Sequence, residues 1–307
     1  MQGVLEGFAV IGLVIALGFA LAGIGVVGAE SLKTLTRLVF FVATPALLFD
    51  LLSGADVGAI FSANLAVAAL SAVATATGYA VLARTIWRRS APDTVIGMLS
   101  SAYVNAGNLG LPIAVYVLGD GSYIAPVLLL QLIVFTPLAF AMLDTFAAGG
   151  SPAPMRLISQ PFRNPITVGS MLGLLTVATG WTVPAVLDDT VSLVGGIAVP
   201  GALLAYGISL RVGPRPMAGG SAAELSVVAA LKLVVQPAAA YALGHFGFGL
   251  DGTALLAVTV VAALPTAQNI FVYALRYDRA VTLARDSIFV TTILSVPVLL
   301  VIAALLA

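Results

Sequence analysis

Apolar runs of bilayer-crossing length follow one another along this chain, and its charges lie almost entirely in the gaps between them. A helix needs about 20 apolar residues to cross roughly 30 Å of hydrocarbon. Of the 307 residues, 61% are hydrophobic and 8% charged, whereas soluble domains carry about a quarter charged residues. A water-soluble fold is excluded. Strands of a membrane barrel alternate apolar and polar residues over about ten positions, and no such alternation runs through this sequence. The expected fold is an all-α polytopic membrane protein, because helices satisfy the backbone groups that lipid cannot.

Reading the runs between polar and Gly/Pro punctuation predicts ten transmembrane segments. They lie at 4–28, 32–53, 59–84, 93–119, 122–146, 163–181, 190–211, 221–246, 251–277 and 280–306. The gaps alternate in charge. Lys33 and Arg37 mark the first, Asp56 the second, Arg84, Arg88 and Arg89 the third, Asp120 the fourth, and Arg156 and Arg163 the fifth. Asp188 and Asp189 follow, then Arg211 and Arg215, then Asp251, then Arg276 and Arg279. Cytoplasmic gaps are enriched in Lys and Arg, so the odd gaps are expected inside a bacterial inner (plasma) membrane and both termini on the non-cytoplasmic side. Of the 13 cations only Lys232 and Arg285 break the pattern. Met1 to Gly7 holds Glu6 and no Lys or Arg, so the first segment is expected to be retained rather than cleaved. Cysteine is absent, which removes disulfides and thiolate metal sites, and a formal net charge of zero implies no nucleic-acid-binding surface.

The least hydrophobic stretch, Ala147 to Asn164, contains Gly149, Gly150, Pro152, Pro154 and Pro161. It reads as a cytoplasmic linker at 147–162 between a first five-helix repeat, 1–146, and a second, 163–307. Similarities cross the linker. Ala-Thr-Pro-Ala-Leu-Leu-Phe at 43–49 parallels Ala-Val-Pro-Gly-Ala-Leu-Leu at 198–204, and Gly-Leu-Pro at 110–112 parallels Ala-Leu-Pro at 263–265. Five segments per half is an odd number, so the second copy is expected to insert upside down. Inverted repeats are a signature of secondary transporters, with the substrate near the midplane at interrupted helices.

Two segments carry such interruptions. The fourth contains Asn105-Ala-Gly-Asn-Leu-Gly-Leu-Pro112 and the ninth Ala263-Leu-Pro-Thr-Ala-Gln-Asn269. Pro112 and Pro265 each remove a backbone donor, and Gly107 and Gly110 tolerate unwound geometry. Simple kinks are the plainer reading of such residues, and it is retained for Pro45 and Pro200, which lack an amide cluster. About 12 residues, or roughly 18 Å of helix, precede the first break, which puts it near the midplane. The two breaks should cross, with second half-helices starting near Pro112 and Pro265. Their N-termini each present about half a positive charge and free amides to an anion. Asn105, Asn108, Thr266, Gln268 and Asn269 add neutral hydrogen-bonding groups at the same depth.

Lys232, eleven positions into the eighth segment, is the one charge expected near the midplane. An intramembrane cation costs at least about 2.5–3.5 kcal/mol, so it needs a partner or a task. It either recognises the charge of a substrate or neutralises the C-terminal ends of the broken helices. Arg285 is placed at an interface or in a salt bridge with Asp286, and Asp144 and Glu224 at hydrated inner ends. No carboxylate is expected at the midplane, which favours an anion over a cation as cargo. An enzyme is not indicated: no Ser/His/Asp cluster, paired acids or His/Cys metal spacing occurs.

Three stretches resemble the auxin efflux carrier family: Phe41-Val-Ala-Thr-Pro-Ala-Leu-Leu-Phe49, Asn105-Ala-Gly-Asn-Leu-Gly-Leu-Pro-Ile113 and Pro265-Thr-Ala-Gln-Asn-Ile-Phe-Val-Tyr273. The resemblance implies a fold shared with bile-acid sodium symporters and sodium/proton antiporters. Segments 1, 2, 6 and 7 would form a dimerising scaffold, and segments 3–5 and 8–10 a mobile transport domain. It also implies that the polar residues of the crossing carry over to Asn105, Asn108, Gln268 and Asn269. The expected function is secondary transport of small organic anions, carboxylates such as auxin-like or malonate-like acids, by elevator-type alternating access, in a homodimer embedded in membrane lipid. A sodium ion or proton is the possible coupling ion and no other cofactor is expected. A sodium-coupled organic-anion symporter of the bile-acid type, or a passive anion channel, are the alternatives.

Overall fold

The computed structural model describes residues 2–54, 63–110, 113–114, 118, 121–147, 165–213, 217 and 220–306. The described residues are helical almost throughout and contain no strand beyond one isolated bridge. The helices are α1 (Gln2–Gly23), α2 (Ala29–Ser53), α3 (Ala63–Thr85), α4 (Ala91–Ala102), α5 (125–147) and α6 (Pro165–Thr179). They continue as α7 (Ala185–Val212), α8 (Ala222–Gly247), α9 (Gly252–Ala262), α10 (Asn269–Tyr277) and α11 (Val281–Leu306). Five of them, α2, α3, α7, α8 and α11, are long and apolar enough to cross a membrane, and α6, α9 and the second half of α1 are shorter apolar helices. Most boundaries fall within four residues of those expected. α7 differs: it starts at Ala185 behind Pro184, so Asp188 and Asp189 lie in its first turns rather than in a gap. There their charge favours the helix N-terminus. The predicted linker 147–162, Pro112, Asp56, Asp120, Arg156, Arg163 and Arg215 lie outside the described residues, apart from Ala147.

Prolines explain an unusual local feature. Wide π-type turns interrupt α2 at Val39–Ala43, α5 at Gln131–Phe135 and α8 at Leu231–Val235. Each ends two residues before a proline: Pro45, Pro137 and Pro237. A proline inside a helix lacks its donor and clashes with the carbonyl one turn back, and an extra residue in that turn relieves the clash. Pro45, read from sequence as a packing kink, sits on such a turn.

The helices pack in two groups. α1 runs along the second half of α7, and α6 and the first half of α7 run along Thr44–Ser53 of α2. Glycines let these backbones meet. A Cβ on Gly207 would lie 2.1 Å from the Ile15 carbonyl oxygen, and one on Gly169 would lie 2.4 Å from that of Pro45. Small residues at contacts are how helices approach closely where no hydrophobic effect drives them together. The other group joins α3, α4, α5, α8, α9 and α11, with α10 touching α4, α11 and α2. Here Tyr79 lies flat against Gly97 and its hydroxyl donates to Glu224 at 2.8 Å. Glu224 also pairs with Arg89, and its side chain is 1% exposed. The expectation of a hydrated Glu224 is corrected: two donors replace water, so burial is tolerated. That bond raises the Arg89 pKa further, keeping it a cation. Of the two places expected for Arg285, the salt bridge with Asp286 forms, at 2.8 Å, and both side chains are buried in it.

Candidate functional site

The chain unwinds at two places, and these meet. Val104 and Thr266 form an antiparallel bridge, with the Asn105 amide donating to the Pro265 carbonyl at 2.8 Å and the Ala267 amide to Tyr103 at 3.2 Å. The positions differ in detail from those expected. The first break covers Tyr103 to Asn105, at the start of the expected stretch, and a helical π turn resumes at Ala106–Gly110, so Gly107 and Gly110 lie in a wound turn rather than an unwound one. The second half-helix after Pro265 starts at Asn269. Pro265 has no amide to donate, so α9 ends at Ala262 and a turn through Ala263 and Leu264 leads into the bridge. In α4 the break is located instead by the strand-like pairing with Thr266.

Each break frees backbone carbonyls that a helix would have used, and buried acceptors must be met. Side chains meet them. Thr266 Oγ1 donates to Ser100 at 2.6 Å, Gln236 Nε2 to Ala102 at 3.0 Å, and Gln131 Nε2 to Val104 at 3.0 Å. Lys232 Nζ donates to the Ala262 carbonyl at 3.0 Å and to Gln236 Oε1 at 2.5 Å. Its amine thus donates at the C-terminal end of α9 and, through Gln236, at that of α4, where the backbone partial charges are negative. Lys232 is fully buried. The wide turns of α5 and α8 carry Gln131 and Lys232, consistent with such turns re-aiming side chains at functional positions.

On the other side of the crossing lies a cavity of about 110 Å³. Tyr103, Asn105, Gly107, Gln131, Asn269 and Tyr273 line it from the crossing side, and Thr44, Leu48, Leu51 and Ala202 from α2 and α7. Asn105 Nδ2 donates to Gln268 Oε1 at 2.7 Å, and Asn269 Nδ2 to the Tyr273 hydroxyl at 2.9 Å. The Tyr103 hydroxyl is 2.9 Å from Thr136 Oγ1. Asn269 Oδ1 has no hydrogen-bond partner. Because a tyrosine hydroxyl both donates and accepts, turning the amide over keeps the Tyr273 bond and aims Nδ2 at the freed position.

Of the residues singled out from sequence, Asn105, Gly107 and Asn269 line this cavity. Thr266 and Gln268 stand behind it as supports, and Gly110 is packed against Ile124. Lys232 does not line it. The side chain of Asn108 lies outside the described residues. Sequence reasoning missed Tyr103, Gln131 and Gln236. A signal existed for the two glutamines: each is an amide inside an apolar run shortly before a proline, and an intramembrane polar side chain needs a partner as a charge does.

A second, larger cavity of about 820 Å³ opens between α8 and α11. Leu233, Val234, Val290 and Leu294 wall it, and its charged lining includes Glu224, paired with Arg89, and Asp286, paired with Arg285. None of the residues of the crossing, Tyr103 to Asn105 or Pro265 to Asn269, lines it, so size does not make it the site.

The profile of a family described as membrane transport protein matches residues 4–151 and 153–303. The chain is similar to an uncharacterized transporter of Methanothermobacter thermautotrophicus, 27% identical over 293 residues, covering 92% of each chain. It is similar to a candidate malonate transporter of Rhizobium meliloti, 26% identical over 278 residues that cover 87% of this chain and 84% of that one. Auxin efflux carrier component 3a of Oryza sativa subsp. japonica is 30% identical over 142 residues, 45% of this chain and 23% of the plant protein.

Proposed function

Because the chain belongs to the membrane transport protein family, we propose that it is a secondary transporter that holds a small carboxylate in the cavity beside Asn105 and Asn269. One observation carries this reading: the cavity lies where the crossed breaks face α2 and α7, at the seam between the two packing groups. A cargo bound there is exposed to one side or the other as one group slides past its neighbour, which is alternating access of the elevator kind. The α1, α2, α6 and α7 group, locked by glycine contacts, serves as the scaffold and dimer contact, and the remainder moves. In this reading the ten segments form two inverted repeats in the inner membrane, and Lys232 holds the crossing together rather than touching cargo.

The carbonyl oxygens of Ser100, Ala102 and Ala262 at the breaks each accept a side-chain hydrogen bond and keep a second lone pair that a sodium ion could use, so a transport assay separates the sodium-coupled alternative. Reconstituted protein is expected to show saturable carboxylate counterflow without a sodium requirement. Currents that do not saturate would point to a channel instead. Asn269→Ala removes a hydrogen bond to a charged partner, about 1.5–3 kcal/mol, and is expected to weaken binding roughly ten- to a hundredfold. Unchanged binding and transport in this variant would remove the cavity from consideration.

The proposed orientation is tested separately. The chain has no native cysteine, so Ser151→Cys and Asp188→Cys report their sides alone. In intact cells an impermeant thiol reagent should label Asp188→Cys and spare Ser151→Cys. The reverse pattern inverts the topology.

A further inference from the structure

The lining of the cavity beside Asn269 bears on how much negative charge it can hold. Its lining, among the described residues, contains no charged side chain. Lys232 is engaged on the far side of the crossing by the Ala262 carbonyl and Gln236. Arg276 is held by the rings of Phe40 and Phe41, at 5.6 and 5.0 Å from their centres, and does not line the cavity either. What remains for an anion is the N-terminal end of α10, about half a positive charge, with the Asn269 amide and the tyrosine hydroxyls. The remaining walls are mostly aliphatic, Val39, Leu47, Leu48, Leu128 and Val199, with Thr44 a hydroxyl among them and no cation. A second carboxylate there would find no charged partner and at most that hydroxyl, which is unfavourable. The space is also small: about 110 Å³ holds roughly seven to eleven water-sized groups at 10–15 Å³ each.

Resting on the cavity being the cargo site, we infer that it selects a short aliphatic monocarboxylate and discriminates against dicarboxylates and bulky aromatic acids. The carboxylate meets Asn269 and the α10 end, and a chain of a few carbons lies against α2 and α7. This chain would then differ in cargo from what the name of its Rhizobium relative says of that protein.

The test is a binding series on the full-length protein in lipid nanodiscs at pH 7.5, by calorimetry, with butyrate, isobutyrate, malonate, methylmalonate and indole-3-acetate. Isobutyrate and methylmalonate differ by a methyl exchanged for a carboxylate, so the pair isolates charge. Isobutyrate is expected to bind at least tenfold more tightly than methylmalonate, and both monocarboxylates more tightly than indole-3-acetate. Leu51→Lys, at a lining position that is 44% exposed, should narrow or reverse the isobutyrate preference by supplying the missing cation. If malonate or methylmalonate binds best and Asn269→Ala abolishes that binding, the selectivity inference is overturned while the cavity remains the site. If some acid binds and Asn269→Ala leaves it untouched, the site reading fails and the inference with it.

Discussion

Lys232→Met is expected to destabilise the protein by about 2–4 kcal/mol and to abolish transport. The lysine donates to the Ala262 carbonyl and to Gln236 Oε1, and methionine fills similar space without donors. Two buried acceptors then lack partners, at about 1–3 kcal/mol each. Lys232 has neutral partners and no counter-ion, so removing it also returns part of its desolvation cost, which offsets some of this loss. Gln236 cannot repair the loss, since its Nε2 is committed to Ala102. Thermal unfolding and carboxylate binding should be followed on the same preparation. A fall in melting temperature fits the role at the helix ends. A variant that melts like the parent yet loses binding would make Lys232 a substrate residue.

Gly207→Val is expected to cost about 3 kcal/mol, near the upper end for overpacking, and to prevent assembly of the α1–α7 pair. Its Cβ would lie 2.1 Å from the Ile15 carbonyl oxygen and 3.0 Å from the Phe19 nitrogen, and backbone atoms cannot turn aside as a side chain can. Gly12 supplies the opposite sign from the same interface helix. A Cβ there meets nothing within 4 Å, so Gly12→Ala should be neutral or stabilise by up to about 1 kcal/mol through helix propensity. Purified yield and melting temperature of the two variants check the contrast. Equal behaviour would mean that the α1–α7 contact is looser than described.

Apolar run length, proline and charge are properties that act locally, and they were readable in order along the chain. Run length sets where a helix can lie in hydrocarbon, so the boundaries of α2, α8 and α11 followed from sequence within a few residues. The amide-rich breaks at Asn105 and Asn269 were legible because polar groups in an apolar run must be satisfied somewhere. Who satisfies them was not legible. The break in α4 falls at Tyr103 to Asn105 because its backbone pairs with Thr266, more than 160 residues away. The same holds for Lys232. Sequence left it divided between cargo and helix ends, since both require the same depth, and only the arrangement of α4, α8 and α9 aims Nζ at Ala262 and away from the cavity. Tyr103 gains its role from a contact between helices that no local pattern encodes, and for Gln131 and Gln236 the sequence marked a buried amide but not the carbonyl it meets. Sequence alone thus determined that this chain lives in a membrane as helices with two polar interruptions. Tertiary structure decided which amides hold the crossing and which line the cavity beside it, because hydrogen-bond partners in a packed interior are set by proximity in space, not along the chain.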